Sequence, residues 1–530
     1  MENDRQWGGP LSGRARKVIF ENDGGDGQRC AEETEEALLK MRMERLVGTG
    51  VDTAFITTRS SGFGQFIHRT RIGTVFTSRE GDYRHNMTEK LIARGTDYLQ
   101  VMSEFCRANG IDVFWSMRMN DTHDGSTRWY GEATFKTNRL KRDHPEWLLG
   151  SRDNKPRHGA WTAVNYAVPE IRALAVAFVE EVLDNYDVDG VHLDFYRHPV
   201  FFPSTAAGLP ATPEETAMMT EVVREVRRLA DRKAEQLHRP LQVSVRVPDS
   251  LEYGLAIGLD IDGWLREGLL DLLIMTSYLK LNPWEYSVRL GRKYGVKVYA
   301  SLDETRVTDP FAEELRQSGR CYLARAMNAL RAGVDGIYLF NFTPRELKNF
   351  NAENASVFQV VDDLERLNTY DKTYVASVRG IGAIAGGGYP HEAFIRVPVL
   401  NPGAPAYLAV GETYAIDTPI GDDVHWGRSQ GIEPQVSLSI RIEGLASPSE
   451  ARVEYNDRVL TPGIRQGIWT MYELDPDTVV AGNNRFAVTL EQDTGRAVKL
   501  LDVKVDIDYR RAEPVDAGTI DEEKEGGERS

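Results

Sequence analysis

The chain has 530 residues, 41% of them hydrophobic, with 9 Trp, 21 Tyr and 19 Phe: too long for one ordinary domain and apolar enough for a sizeable core. A formal net charge of −16 argues against nucleic acid or an anionic membrane as the main partner, and leaves neutral sugars and cations open. The three cysteines, Cys30, Cys106 and Cys321, are widely spaced without a CxxC pattern and read as buried small hydrophobes.

The amino terminus lacks the apolar core of a signal peptide, and no stretch approaches ~18 apolar residues, so a soluble, cytoplasmic protein is expected. Residues 1–16 are polar and Gly-rich, a flexible lead. A first strand over Lys17–Phe20 ends in Glu21-Asn22-Asp23-Gly24-Gly25, and helical periodicity from Glu33 to Val47 closes on Gly48 and Gly50. The second strand, Thr53–Thr58, precedes a long loop, 59–86, of the kind that forms a lid or insertion. One helix is expected over Thr88–Ala108, then a strand over Asp112–Met117 ending Arg118-Met119-Asn120-Asp121-Thr122-His123-Asp124. The loop 125–165 carries Trp129, Tyr130, His144, Trp147 and Trp161, rings that suit either stacking on sugars or ordinary loop packing.

A helix over 169–186 opens on Pro169 and Glu170, with an apolar stripe of Ile171, Leu174, Ala175, Phe178 and Val182. The strand after it organises the chain. Val191, Leu193 and Phe195 alternate with Gly190, His192 and Asp194, a period of two. An acid in register with core-facing positions is costly unless it stands at the open end of the strand. In a βα barrel that end is the carboxyl-terminal face, where active sites are found. Residues 188–195 (VDGVHLDF) are echoed at 334–341 (VDGIYLFN), which sets Phe340 opposite Asp194. Asp194 is thus the leading candidate for chemistry; the plainer reading is a helix cap or a salt bridge to Arg197.

A charged helix over 213–238 leads to strands Leu241–Val247, ending in Asp249, and Leu270–Thr276, ending in Ser277-Tyr278. Strand Lys297–Leu302 ends in Asp303-Glu304, and a helix over 319–332, stopping at Gly333, leads to the last strand, Gly336–Asn341. Eight strands with mostly helical connections, and junctions recurring as Gly-Val-Asp or Gly-Ile-Asp at 50–52, 110–112 and 333–335, predict an α/β fold, a (β/α)8 TIM barrel over 17–368. A doubly wound sheet is the runner-up, but Asn22-Asp23-Gly24-Gly25-Asp26-Gly27 lacks the phosphate-loop spacing. After a closing helix over 354–367, a Gly-rich linker is expected over 369–390. An all-β sandwich domain over 391–510 follows, its strands read at Phe394–Val399, Val436–Ile442, Ala451–Tyr455, Ile468–Glu473, Asn484–Leu490 and Ala497–Tyr509. The acidic tail 511–530 reads as disordered.

Polar groups collect at the predicted strand ends: Asp23, Arg118, Asn120, Asp121, Asp194, Arg197, Asp249, Tyr278, Asp303, Glu304 and Asn341. Such an acid-rich rim suits carboxylate chemistry, and cleaving a glycosidic bond needs two carboxyl groups, one protonated and one ionised. Asp194 supplies one; Asp303, Glu304 or Asp249 supplies the other. Asn165 and His192 join the rim residues as candidate substrate contacts. No cofactor is expected. The Asn120–Asp124 run offers a competing metal reading, but no HExxH or terminal HxH accompanies it.

At Tyr186–Pro199 (YDVDGVHLDFYRHP), preceded by Asn165-Tyr166 and the Pro169 helix, the chain resembles the family-10-like glycosyl hydrolase proteins, which carry a version of YDVDGIHxDxxxxP on the fourth barrel strand. The resemblance covers roughly 17–345 and implies a TIM barrel acting on carbohydrate, with Asp194 in the strand-four position, as nucleophile. The Asn-Glu pair of true family 10 enzymes is absent, so their acid/base assignment does not carry over. Trp469–Leu474 and Ala481-Gly482-Asn483-Asn484-Arg485-Phe486 look like a galactose-binding-type jelly roll. The expected function is a glycoside hydrolase on an oligo- or polysaccharide; a non-catalytic glycan-binding protein on a degenerate barrel and a metal-dependent hydrolase are the alternatives.

Overall fold

The structure, a computed structural model, describes residues 16–58, 62–125, 136, 138–275, 280–303, 307–340, 342, 352–379, 388–461 and 463–509. Eight parallel strands close into a barrel in chain order: β1 Val18–Asn22, β2 Val51–Thr57, β3 Asp112–Arg118, β4 Gly190–Asp194, β5 Gln242–Val247, β6 Leu272–Met275, β7 Lys297–Ser301 and β8 Gly336–Phe340, with β8 pairing back onto β1. Helices α1 Glu35–Arg42, α2 Tyr98–Ala108, α3 Pro169–Asn185, α4 Pro213–Leu237, α5 Ile261–Arg266, α6 Trp284–Tyr294 and α7 Gly319–Ala332 connect successive strands, and α8 Ala352–Val360 follows β8.

Local chemistry sets the helix ends. Pro169 takes the first position of α3, whose buried face carries Ile171, Ala175, Phe178 and Val182. Thr212 and Glu215 form a reciprocal capping box on α4, and Gly333 ends α7 in the left-handed conformation, φ 95°. The single helix expected over 88–108 is two, Thr88–Ala93 and α2, because Gly95 turns left-handed (φ 86°) and the Asp97 side chain caps the second.

The recurrent Val-Asp has a physical cause. Asp52, Asp189, Asp271 and Asp335 stand at the starts of the even strands, and each carboxylate accepts a backbone N–H at the start of the preceding strand. The donors are Lys17 N (2.6 Å), Val113 N (2.8 Å), Val243 N (2.8 Å) and Val298 N (2.9 Å). The glycine after two of them is dictated by space. A Cβ on Gly190 would stand 2.5 Å from Gln242 O, and one on Gly336 2.5 Å from Lys17 O.

Beyond the barrel two antiparallel sheets share a second apolar core. With the strands numbered onward as β9 Lys372–Val375, β10 Ala406–Leu408, β11 Thr413–Ile420, β12 Pro434–Glu443, β13 Ala451–Tyr455, β14 Arg458–Val459, β15 Ile464–Gln466, β16 Trp469–Leu474, β17 Gly482–Leu490 and β18 Val498–Tyr509, the larger sheet has β9, β18, β12, β16 and β15 in order, and β10 also pairs with β18. The smaller has β11, β17, β13 and β14. Two expectations are corrected. Lys372–Val375, read as linker, is a strand on β18, and Phe394–Val399, read as a strand, is a 3-10 turn and irregular chain. The lead before Arg16, residues 380–387 of the linker and the tail from 510 lie outside the described residues. No helix among the described residues is long and apolar enough to cross a membrane.

Candidate active site

Alternation along each strand sends one set of side chains into the barrel. On β4 and β8, which face each other across the ring, His192 and Tyr338 meet with centroids 5.9 Å apart, and Phe55 of β2 packs on both. This aromatic layer fills the barrel below the mouth. His192 is enclosed in it: Nδ1 meets Ser244 Oγ at 2.9 Å, and burial holds the ring well below its usual pKa. It is therefore a neutral core histidine and not the sugar contact expected from sequence.

One layer nearer the mouth the side chains become charged. Arg246 of β5 lies fully buried over the Phe340 ring, 4.4 Å from its centroid. Its guanidinium reaches Asp194 Oδ2 on one side at 3.5 Å and bonds Asp303 Oδ2 on the other. Asp194 Oδ1 accepts Tyr196 N at 2.9 Å, and Ser301 donates to Asp303. Asp194 thus pairs with Arg246 and not with Arg197. Asp194 and Asp303, from strands four and seven, share one cation at the carboxyl-terminal end of a closed barrel, and the two side chains are 2% and 0% exposed.

Glu21 of β1, absent from the expected set, stands beside this pair. Thr57 Oγ1 donates to it at 2.5 Å and Tyr338 OH at 3.0 Å. Burial, reinforced by the Asp194 charge, pushes its carboxyl up to about 7, against the pull of Thr57 and Arg118. The site therefore contains one carboxyl poised between neutral and charged beside the Asp194–Arg246 ion pair.

The other expected residues divide by what their polar atoms already do. Asp249 is buried after β5, its oxygens accepting Leu281 N (3.0 Å) and Asn282 N (2.9 Å), so it ties down the segment after β6. Asn120 uses its amide on Val164 O, Val200 O and Val164 N, and Asn165 caps Ala167 N, so both brace loops. Asp23 binds Arg42 at 2.6 Å; burial opposes its charge, yet Arg42 and Arg118 hold its carboxyl below the usual range. Glu304, Tyr278, Asn341, Trp129 and Tyr130 lie outside the described residues.

Arg118, Asp121, His123 and Arg197 form a chain beside Asp194. Arg118 meets Asp121 at 3.2 Å, Asp121 meets His123 Nδ1 at 2.7 Å, and Arg197 meets His123 Nε2 at 3.1 Å. Arginine only donates, so Nε2 accepts and the ring proton sits on Nδ1. Asp121, His123 and His198 bring their ligand atoms within 4.8 Å of one another, the spacing of a metal cluster. Both nitrogens of His123 are engaged, however, and two guanidinium groups flank the trio. A dication there would face those charges, so the donors fit a hydrogen-bonded chain better than a metal centre.

In fold the chain is similar to alpha-L-fucosidase isoenzyme 2 from Paenibacillus thiaminolyticus, at 12% identity and a TM-score of 0.39, over 67% of this chain and 49% of that one. It is similar also to an alpha-amylase of Anoxybacillus, at 10% identity and a TM-score of 0.38, over 90% of this chain and 99% of that one. A third is the GH36 alpha-galactosidase AgaB from Geobacillus stearothermophilus, at 14% identity and a TM-score of 0.36, over 94% of this chain and 56% of that one. The chain spans about half the length of the fucosidase chain, 49%. No curated protein matches it. Residues 70–208, the stretch from the loop after β2 through Asp194 and the loop beyond it, match the model of the family described as Glycosyl hydrolase-like 10.

Proposed function

We propose that the chain is a glycoside hydrolase, cleaving an O-glycosidic bond of an oligo- or polysaccharide at the carboxyl-terminal face of the barrel. The observation that carries this reading is the pair of carboxylates, Asp194 and Asp303, set on one buried guanidinium within a barrel whose fourth strand falls in the glycosyl hydrolase-like stretch. Asp194, paired with Arg246, acts as the nucleophile on the anomeric carbon. The proton for the leaving oxygen has to come from a carboxyl free to hold one. Asp303 is bonded by Arg246 and Ser301, and the role is assigned to the next residue, Glu304, as general acid.

The roles separate by leaving group. On nitrophenyl glycosides, whose leaving group needs no proton, Asp194→Asn lowers kcat by about 10³ or more, while Glu304→Gln has little effect on the first step. On natural glycans Glu304→Gln costs about 10²–10⁴, and azide restores turnover by intercepting the glycosyl-enzyme. Turnover persists in a chelator. If the Asp194→Asn protein cleaves as fast as the wild type, the proposal is wrong.

One observation favours a second reading. Asp194 is already engaged by Arg246 and Tyr196 N and is 2% exposed, as a carboxylate that only braces the barrel would be. A glycan-binding protein on a non-catalytic barrel would bind sugars equally well with Asn at position 194 and release no reducing ends.

A further inference from the structure

The larger sheet of the sandwich presents its outer side in two parts. Toward β9 and β18 that side packs on the barrel, where Asp502 takes Arg316 and Asp508 meets Arg320. Further across, on β12 and β16, alternation sends Val436, Leu438, Ile440, Tyr472 and Leu474 into the core and Ser439, Arg441, Trp469 and Met471 outward. Met471 pairs with Ser439 on one side and with Ile464 of β15 on the other. Ile440 pairs with Thr470, so the next position of each strand sets Arg441 beside Trp469. Lys504 of β18, opposite Ser439, holds its Nζ 5.5 Å from the Trp469 ring.

The barrel adds an edge to this face. Arg441 bonds Asp309 at 2.9 Å and lies 5.9 Å from the ring of Phe311, in the first turn of the helix Pro310–Arg316. Phe311 is 60% exposed and Ile464 66%, while Trp469 and Met471 are half-buried, so apolar groups from both units stay uncovered on one surface. Its two cations, by contrast, are answered: Arg441 by Asp309, and Lys504 by Asp506 at 2.6 Å. An indole set among ion pairs offers donors and acceptors together, which suits a neutral chain of hydroxyl groups better than a charged ligand. A second copy of this chain would have to dry those ion pairs against apolar surface. Position points the same way. Asp309 follows Asp303 by six residues, which keeps it within about 22 Å of the carboxylate pair.

We propose that this face binds a neutral polysaccharide, one sugar ring stacked on Trp469 and the chain running past Phe311 toward the mouth of the barrel. Arg441 and Lys504 donate to sugar hydroxyls from beside the indole, and Asp309 and Asp506 accept from others. The choice of a glycan rests on the glycosidase reading, but the face itself uses neither Asp194 nor Asp303. Holding a long chain here as well as at the barrel mouth raises its affinity over that of a short one.

The test is affinity electrophoresis of the full chain through native gels containing dextran, amylopectin, galactomannan or mixed-linkage β-glucan, with polygalacturonate as the charged control. At least one neutral polymer is expected to retard the protein. Trp469→Ala weakens that retention roughly tenfold or more, Trp469→Tyr keeps part of it, and Phe311→Ala, at an exposed ring outside the core, weakens it several-fold. Retention by no neutral polymer, retention by polygalacturonate alone, or retention unmoved by both alanine variants overturns the proposal. So does a dimer, seen by light scattering, that Phe311→Ala and Trp469→Ala dissociate, which would give the face to a second copy. The two readings fail separately: Trp469-dependent retention of a protein that cleaves nothing sinks the hydrolase alone, and cleavage without such retention sinks this face alone.

Discussion

Glu21 is the residue on which burial acts most visibly at the site. Its folded pKa of about 7 stands above the ordinary 4.5, so the folded state holds its proton longer than the unfolded chain does. The stability this confers is complete below pH 4.5 and is lost as pH rises toward 7, where the folded protein must carry a buried carboxylate beside Asp194. A shift of that size corresponds to about 3 kcal/mol. Urea unfolding of the Glu21→Gln variant is expected to show a midpoint that gains on the wild type between pH 5 and pH 8 by roughly that amount; a constant difference across the range would show that Glu21 is ionised throughout. At this scale the sequence was legible in part. Asp194 stood out because β4 alternates cleanly and its echo at β8 holds a phenylalanine. Ser244 and Arg246 alternate on β5 in the same way, and both point into the barrel. Glu21 falls past the end expected for its strand, Lys17–Phe20, whereas the strand runs on to Asn22. Asn120 and Asn165 could not be told from sugar contacts, because an amide that braces a loop and one that meets a ligand look alike in sequence.

Among the elements, the even barrel strands share one device, an aspartate that caps its neighbour, and the Gly-Val-Asp recurrence made two of the four readable. Asp189 also receives Arg239 at 2.7 Å. Replacing Asp189 with Ala leaves Val113 N–H without its acceptor at the barrel's amino-terminal rim, costing about 1–3 kcal/mol. Asp335→Ala does the same to Val298 N–H on the far side. Because the two caps share no partner, the double variant is expected to lose the sum of the single effects in urea midpoint with an unchanged m-value, and activity at saturating substrate should remain. A double variant no worse than either single one would mean that the caps are redundant. The broken helix at Gly95 and the strand at Lys372–Val375 were not readable for opposite reasons. Periodicity runs through the first because a helical break needs only one left-handed residue. The second is four residues long and pairs with Val505 and its neighbours, more than a hundred positions away.

At the scale of the molecule, the change from helix-strand repeats to short alternating strands announced a barrel followed by a sandwich, but composition says nothing of how the two are held. Arg316, just before α7, meets Asp502 of β18 through two hydrogen bonds of 2.8 Å each, both side chains almost wholly buried, and its Nε donates to Ser377 O. Around this pair, Arg441 binds Asp309, Arg331 reaches Gly421 O, and Lys372 pairs with Asp422 under the hydroxyls of Tyr374 and Tyr509. Phe394 belongs to the same seam: its apolar neighbourhood looks like a strand, yet its burial partner is the barrel residue Tyr253. Such a seam makes the sandwich part of the barrel's fold. Arg316→Met strands the Asp502 carboxylate in an apolar interior, a loss of about 3–5 kcal/mol, whereas Arg316→Met with Asp502→Leu removes both charges and recovers most of it. Scanning calorimetry is expected to show one transition for the wild type and the double variant, and a lower, split transition for Arg316→Met as the two units part. A single unshifted transition in Arg316→Met would mean that the buried pair does not couple them.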